Sequence, residues 1–322
     1  MRLNLSFRTG LAMLAALLLV ICGGAALALF LTGCGEDGGT AGLQITEKEI
    51  CMEGLEGEYT LLFVTDSHAV VPGEAASEQE EEYETQRYAM FQGEDGADSA
   101  SRFEAVIRYA NERQVDALVL GGDIIDSPSE ANLSWLSAQL AQLDMPYIYV
   151  PGNHDWTYPW EYMTEEGQEK YLTRLEPFMQ GNTGVHTLEL AEFTLVGIDD
   201  SPNQVREEAV RELERLCEGE KPLIVVAHVP FLTQSVLGRA REVWSGGVVI
   251  GGGNYGGIYP DEYSDRFVRL VTGEQSPVEL VLAGHVHFYD EDVMDGERQV
   301  LQLVGGPGYE GSGLLLHITG GR

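Results

Sequence analysis

The sequence predicts an α/β domain, and three observations support this fold class. Short apolar runs typical of buried strands recur at 59–64, 116–120, 147–150, 187–190, 194–198, 223–227, 278–282, 299–304 and 313–318. Segments with helical periodicity separate several of these runs. Polar side chains directly follow five of the runs, as expected where the carboxyl ends of strands in an α/β sheet build a site.

The first 33 residues are predicted to be a signal peptide or membrane anchor. Basic residues precede an apolar run at about 11–31, and acidic residues follow it. Leu31-Thr32-Gly33-Cys34 resembles the lipobox of bacterial lipoproteins, which implies cleavage before Cys34 and a lipid on its sulfur. The alternative is an uncleaved anchor, because the run is long enough to span a bilayer. In both cases the charge pattern places the rest of the chain on the extracytoplasmic face of the cell membrane.

Two further regions follow the targeting segment. Residues 34–57 are rich in glycine, threonine and glutamate, which predicts a linker, and residues 58–320 are predicted to form the folded domain. Cys51 and Cys217 belong to the exported part, where a disulfide is permitted. Nothing in the sequence places them together, so two free thiols are favoured.

The charge of the chain limits its partners. Acidic residues number 52 against 19 basic ones, giving a net charge of −33. Long-range repulsion therefore disfavours nucleic acid as a partner. No internal repeat is present.

Four helices are predicted between the strands. Ser101 to Glu104 is typical of a capping box, and it opens a helix with an apolar stripe at 103, 106, 107 and 110. A second helix begins at Ser127-Pro128-Ser129-Glu130, with proline at the first helical position. The others are predicted at about 165–175 and 204–216.

Three segments lack a clear pattern. Residues 72–99 are polar and acidic, which predicts a solvated flap, although Arg87 and Tyr88 within it could reach a phosphate. Residues 231–275 contain many glycines and are predicted to be an inserted, flexible rim. The aromatic cluster Trp156, Tyr158, Trp160 and Tyr162 is predicted to be core, and the alternative is a wall of the substrate cleft.

Side chains that bind metals follow five predicted strands: Asp66 and His68; Asp123; Asn153, His154 and Asp155; His228; and His285 and His287. Mixed nitrogen and oxygen ligands suit Zn, Fe or Mn better than Ca or Mg alone. The ligands suffice for two ions, with one carboxylate between them. The remaining histidines, His186 and His317, are predicted to be structural.

The ordered motifs DxH, GD, GNHD, a lone histidine and GHxH resemble those of the calcineurin-like metallophosphoesterase superfamily, over about 61–288. The resemblance implies a four-layer αββα sandwich of two mixed β-sheets flanked by helices. It also implies two metal sites, one held by Asp66, His68 and His287, the other by Asn153, His228 and His285, with Asp123 as the bridge. His154 would be the proton donor, oriented by Asp155.

This resemblance implies a metal-dependent phosphoesterase in which a hydroxide shared by two ions attacks a phosphomonoester or phosphodiester. The expected substrate is a phosphorylated small molecule or a lipid head group. The segment after Asp123 lacks the tyrosine of purple acid phosphatases, and Asp126 lacks the following Arg-Gly of serine/threonine protein phosphatases. The alternative is a non-catalytic metal-binding scaffold of the same fold. The presence of His154 and all seven ligand positions favours the enzyme.

Overall fold

The structure, a computed structural model, describes residues 42–74, 77–93, 95–157, 164–253 and 255–321. Thirteen strands and eight α-helices lie in these ranges. The strands are β1 Gln44–Cys51, β2 Glu58–Val64, β3 Ala117–Leu120, β4 Tyr147–Tyr149, β5 Val185–Glu189, β6 Thr194–Ile198, β7 Leu223–Val226, β8 Val249–Gly252, β9 Gly257–Ile258, β10 Val278–Ala283, β11 Asp290–Met294, β12 Val300–Val304 and β13 Ser312–Thr319. The helices are α1 Glu78–Met90, α2 Ser99–Arg113, α3 Glu130–Leu140, α4 Asn153–Trp156, α5 Glu165–Leu172, α6 Glu207–Cys217, α7 Gln234–Val243 and α8 Glu262–Val271. Two short 3₁₀ turns cover Glu176–Phe178 and Gly308–Glu310.

Most strands belong to two mixed sheets. The first sheet has the order β1-β13-β2-β3-β4, and the second has the order β11-β12-β10-β7-β6-β5. In the first sheet β2, β3 and β4 are parallel, while β13 is antiparallel to β2. In the second, β12, β10, β7 and β6 are parallel, and β11 and β5 are antiparallel to their neighbours. The carboxyl ends of the parallel strands therefore lie at one edge of each sheet.

Successive side chains along each strand point to opposite faces of the sheet, and this explains the four layers. In β2, Leu61 and Phe63 pack with Ile224 and Leu282 of the second sheet, so the two sheets lie face to face. The intervening residues of the first sheet pack under α2 and α3, and those of the second sheet pack under α6 and α8. The predicted four-layer αββα sandwich of two mixed sheets flanked by helices is thereby confirmed.

The strands that the sequence did not indicate lie at sheet edges. β1 falls within the predicted linker 34–57 and pairs in parallel with β13, from Gln44 opposite Ser312 to Cys51 opposite Thr319. In β1 only Ile50 is buried, so the segment has no apolar run. β11 is also an edge strand and is rich in acidic residues. Edge strands tolerate polar side chains, and this removes the signal on which the prediction relied.

The segment 72–99, predicted to be a solvated flap, is helical over α1. This helix starts at the N-cap Ser77, whose hydroxyl accepts from the Glu80 N–H at 3.2 Å. Glutamates in its first turn interact favourably with the helix dipole. None of its residues is buried, so the segment carries no apolar stripe by which it could be recognised.

The segment 231–275 is also more ordered than expected. It contains α7, α8 and the small β8-β9 pair, and its Phe231 and Phe267 are fully buried against the second sheet. The prediction of a flexible rim is therefore wrong for these elements. The two aromatic rings stack at 5.7 Å between centroids and join the segment to the core.

Two helix starts differ in detail. The apolar stripe of α2 is buried as predicted, but the N-cap is Asp98, whose carboxylate accepts from the Ser101 N–H at 2.8 Å. In α3 the N-cap is Ser129, so Pro128 precedes the helix and does not occupy its first position. Cys51 and Cys217 are free thiols, as expected.

Candidate metal centre

The ends of strands from both sheets converge on one site. β2, β3 and β4 lead into the loops that carry Asp66, Asp123 and Asn153. β7 and β10 of the second sheet lead into those that carry His228 and His285. Loop backbones are bonded together, as in the His68 N–H to Asp123 carbonyl bond of 2.8 Å. The structure thus brings together the side chains that the sequence singled out.

Asp66, His68 and His287 form the first group of potential ligands. The Nε2 atoms of His68 and His287 lie 3.0 Å apart, and Nε2 of His287 lies 3.4 Å from Asp66 Oδ1. Two ring nitrogens and a carboxylate oxygen that face one point are the donors expected around a transition-metal ion.

Asp123, His228 and His285 form the second group. His228 Nε2 lies 3.2 Å from Asp123 Oδ2 and 3.3 Å from His285 Nδ1. The same Oδ2 atom of Asp123 is 3.7 Å from His68 Nε2. This one carboxylate therefore lies between the two groups, where a bridge would have to be.

Asn153 supplies a direct test of whether the site fits a cation. Its Oδ1 atom is buried and has no hydrogen-bond partner among the described residues. A buried acceptor without a partner costs about 1–3 kcal/mol. A metal ion beside Asn153 would satisfy this oxygen, so the donor set fits the two ions that the sequence implies.

In two of the histidines, the ring nitrogen that is not the proposed ligand atom already has a hydrogen-bond partner. His68 Nδ1 lies 3.0 Å from Asp126 Oδ1, and His228 Nδ1 lies 2.8 Å from the Gly121 carbonyl oxygen. These acceptors favour a proton on Nδ1 and leave Nε2 as the ligand atom, an arrangement common around protein-bound metals.

The backbone of the site is strained. Five of the seven predicted ligands have positive φ angles: Asp66 (52°), His68 (42°), Asp123 (51°), His285 (71°) and His287 (54°). Each such conformation costs on the order of 1–3 kcal/mol in a residue other than glycine, and it persists only where the surroundings hold it. Strain concentrated on the predicted ligands is typical of a functional site.

Gly122 and Gly152 are required for different reasons. Gly122 has a φ of +90°, and a Cβ there would lie 2.5 Å from His228 Nδ1. Gly152 has an ordinary φ of −94°, so it does not provide the sharp turn that a glycine allows. A Cβ at Gly152 would meet Asp123 Oδ1 at 2.2 Å. Its role is to let the Asn153 loop approach the central carboxylate.

The prediction that Asp155 orients His154 is wrong. The Asp155 carboxylate is fully buried and accepts hydrogen bonds from the N–H groups of Asp123, Ile124, Ile125 and Gly152 and from the Tyr149 hydroxyl. Burial, with a smaller contribution from nearby Asp123, raises the pKa of Asp155 to about 7. Through these bonds Asp155 fixes the backbone of the Asp123 loop and the Asn153 loop. Its side chain is directed to these loops and not to the His154 imidazole.

Asp126 takes the position expected of Asp155. Its Oδ1 atom lies 3.2 Å from His154 Nδ1 and 3.0 Å from His68 Nδ1. One carboxylate thus links the predicted proton donor to a predicted metal ligand. The only sequence signal was its place three residues after Asp123.

Arg87 of α1 completes this arrangement. It donates from Nε and Nη2 to the two oxygens of Asp126, both at 2.6 Å, and its Nη2 lies 3.2 Å from His154 Nδ1. The guanidinium also lies over the Phe91 ring at 4.7 Å. The sequence had marked Arg87 as a residue that could reach a phosphate, and the structure places it beside His154.

The charges of the site influence one another strongly. Burial opposes the charge on His228, but Asp123 and Asp66 outweigh it and raise its pKa to about 10. Burial and the neighbouring His228 lower the pKa of His285 to about 3. Such opposite shifts in adjacent imidazoles are typical of functional sites, where burial and like charges are crowded together.

The other predicted residues lie elsewhere or outside the described residues. Trp156 is buried, and its Nε1–H donates to Ser201 Oγ at 2.8 Å, which agrees with a core position. Tyr158, Trp160 and Tyr162 fall outside the described residues. His186 is buried beside β6, and His317 pairs with Glu47 at 3.3 Å.

In this sandwich of two sheets, the strand ends gather carboxylates and imidazoles into two adjoining groups that could hold a dinuclear metal centre. The model of the calcineurin-like phosphoesterase family matches residues 59–289, and the chain belongs to this family.

Known relatives agree with this assignment. Two uncharacterized metallophosphoesterases from Helicobacter pylori, strains J99 and 26695, are each 28% identical to the chain over 161 residues, 48% of its length. The chain spans 40% of the length of each relative.

Two solved structures were found to resemble the chain. A purple acid phosphatase from yellow lupin (Lupinus luteus) seeds has a TM-score of 0.52 at 14% identity, covering 81% of this chain and 45% of that one. A dimetal phosphatase from Danio rerio has a TM-score of 0.47 at 12% identity, covering 78% and 88%. At such identities the similarity to the lupin enzyme shows the fold alone.

Proposed function

We propose that this chain is a metal-dependent phosphoesterase, a hydrolase of phosphoric ester bonds, and that it acts on a phosphorylated small molecule or a lipid head group at the outer face of the cell membrane. The observation that carries the catalytic part is the position of the Asp123 carboxylate between two groups of potential ligands. We assign Asp66, His68 and His287 to one metal ion, and Asn153, His228 and His285 to the other. Asp123 would bridge them.

Two bound ions would lower the pKa of a shared water and stabilise the attacking and leaving oxygens during in-line displacement. The chain's own residues hold the ligands in place, and the Asn153 amide, which carries no charge, adds no negative charge beside the substrate phosphate. Mn, Fe and Zn all suit this mixed set of nitrogen and oxygen donors.

His154 is the proposed proton donor to the leaving group. Its Nδ1 faces Asp126, so Nε2 is the nitrogen left to face the substrate. Burial lowers its pKa, but Asp123 and Asp126 outweigh this effect and raise it, which favours the protonated imidazole. General acid catalysis of this kind contributes typically about 10²–10⁴-fold in rate.

The test of this function is hydrolysis of p-nitrophenyl phosphate and bis-p-nitrophenyl phosphate by the full chain in detergent with added Mn²⁺. Turnover of either ester supports the proposal. No turnover of either, with two bound metal ions per chain confirmed by elemental analysis, would favour a non-catalytic scaffold instead.

The membrane location rests on the sequence pattern that ends at Cys34, which lies outside the described residues. Within the described residues, no helix is long and apolar enough to cross a membrane. We propose that a lipid on Cys34 anchors the chain. Cys34→Ala should release or mislocalise a lipoprotein, whereas an uncleaved apolar anchor would keep this variant in the membrane fraction.

A further inference from the structure

Two aromatic side chains, Trp244 and Tyr309, flank the metal centre and have no part in the reaction described above. The centroid of the His287 ring lies 5.5 Å from that of Trp244 and 5.4 Å from that of Tyr309, edge to face in both cases. The His287 side chain is 20% exposed, so this side of the centre is open to solvent. A phosphate bound there would carry its organic group close to these rings.

Both rings are held in place by the loops that carry the predicted ligands. The Trp244 Nε1–H donates to the carbonyl oxygen of Val286, between the two ligands of the GHxH motif, at 3.0 Å. The Tyr309 N–H donates to the Asp66 carbonyl oxygen at 3.0 Å. The Trp244 ring is fixed by the bond of its own indole, and the Tyr309 ring packs against Phe91 at 4.9 Å between centroids, so both lose little conformational entropy when a ligand binds.

Neither ring is fully buried. Trp244 and Tyr309 are both partly exposed, whereas the neighbouring Phe91 is buried and stacks on His68 at 4.3 Å.

The charge at the site also favours an apolar organic group. Arg87 contacts the predicted site residue His154, but its charge is already paired with Asp126. The side of Trp244 and Tyr309 therefore offers aromatic surface and one hydroxyl, which suits a planar group better than a polyanionic one.

We propose that Trp244 and Tyr309 form a subsite for the organic group of the ester, and that the substrate class is phosphoesters of aromatic or other planar groups. This inference rests on the proposed function of the same site. It adds a preference for one kind of ester and leaves the reaction unchanged.

The first test is equilibrium binding, without turnover. Phenylphosphonate and methylphosphonate share the phosphonate group, and their P–C bonds are not hydrolysed by this chemistry. In calorimetric titrations of the full-length, Mn²⁺-loaded protein, phenylphosphonate should bind about tenfold more tightly, equivalent to about 1.4 kcal/mol. Equal affinities would overturn the subsite.

Substitutions then test whether Trp244 and Tyr309 cause the preference for the phenyl group. Trp244→Ala and Tyr309→Ala should each reduce the phenyl-to-methyl affinity ratio to about threefold or less, whereas Tyr309→Phe should keep it because the ring remains. Tyr255→Ala, which removes an aromatic ring that is 62% exposed, is the control and should change nothing. If the rings only supported His287, the variants would lose metal and weaken both phosphonates equally, and an unchanged ratio would refute the subsite.

Hydrolysis separates this inference from the proposed function. p-Nitrophenyl phenyl phosphate and methyl p-nitrophenyl phosphate have the same leaving group and differ in the second ester group. We expect the phenyl diester to have the higher kcat/KM by about tenfold. Turnover of both at equal kcat/KM would refute the subsite and leave the phosphoesterase intact. No turnover of either, or of the monoester p-nitrophenyl phosphate, would refute the proposed function, and the phosphonate ratio would still decide whether the subsite exists.

Discussion

The two sheets contribute different chemistry to the metal centre. Loops after the first sheet supply both carboxylates of the predicted ligand set, Asp66 and Asp123, together with one amide and one imidazole. Loops after the second sheet supply imidazoles alone: His228, His285 and His287. The negative charge that attracts cations is therefore on one side, and the softer nitrogen donors are mostly on the other. Neither sheet alone holds a complete site.

The largest effect is expected from removal of the shared carboxylate. Asp123→Ala should lose both metal ions and with them all measurable hydrolysis, because one oxygen faces both groups of ligands. His285→Ala on the second sheet is the matched comparison and should lose one ion. Elemental analysis of the purified variants measures this difference. Full metal content in Asp123→Ala would contradict the bridge assignment.

The next effect concerns the proton donor on the first sheet's side. His154→Ala should keep both metals but lower kcat by about 10²–10⁴ for esters with poor leaving groups. The loss should shrink for p-nitrophenyl esters, whose leaving group needs no proton. Rates measured across a series of leaving groups check this. A loss of the same size throughout the series argues against an acid role for His154.

Metal binding should also raise the free energy of unfolding, because both sheets supply ligands. Ligands from both sheets around the same ions mean that the folded state alone binds them tightly. At a free metal concentration of about 100 times Kd, binding one ion adds about 2.7 kcal/mol to the free energy of unfolding. A chelator should therefore lower the Tm of the full chain by several degrees, roughly 2–4 °C per kcal/mol for a domain of this order of size. Asp123→Ala should show no such shift, and a shift as large as that of the unaltered chain would mean that the ions bind elsewhere.

A smaller effect is expected from a substitution in α1, whose Arg87 bonds to Asp126. Arg87→Met removes the two donors to Asp126 and should lower kcat about tenfold, because Asp126 then holds His154 less firmly. Metal content should stay unchanged. Arg211→Met, at an exposed ion pair with Glu207, is the control and should keep full activity. Equal activity in the two variants would show that Arg87 only anchors α1.

The sequence was most informative where chemistry and periodicity coincide. Apolar runs ending in Asp66, Asp123, Asn153, His228 and His285 predicted both the strands and the residues that converge. Proximity in the sequence gave a wrong prediction where the side chains of adjacent residues point in different directions. Asp155 follows His154, yet its side chain turns into the loop backbone, while Asp126 arrives from another strand end.

The remaining differences have a different cause. α1 buries none of its residues and joins the site through Arg87 and through Phe91, which directly follows the helix, so no periodic pattern could show where it docks. β1 and β11 lie at sheet edges, where polar residues are tolerated. In each case a tertiary contact between distant segments decides the structure, and local composition does not encode that contact.

The parallel pairing of β1 with β13 has a mechanical consequence. Tension applied to the chain before Gln44 would reach β1 first, and the eight residues of β1 are paired along their whole length with the final strand. A pull along a strand loads its hydrogen bonds together, in shear, so that they do not open one after another. β13 and β2 stand between this strand and β3. A domain tethered at its N-terminal end would thus bear strain first at one edge of the sheet, separated by two strands from β3 and the Asp123 loop that follows it.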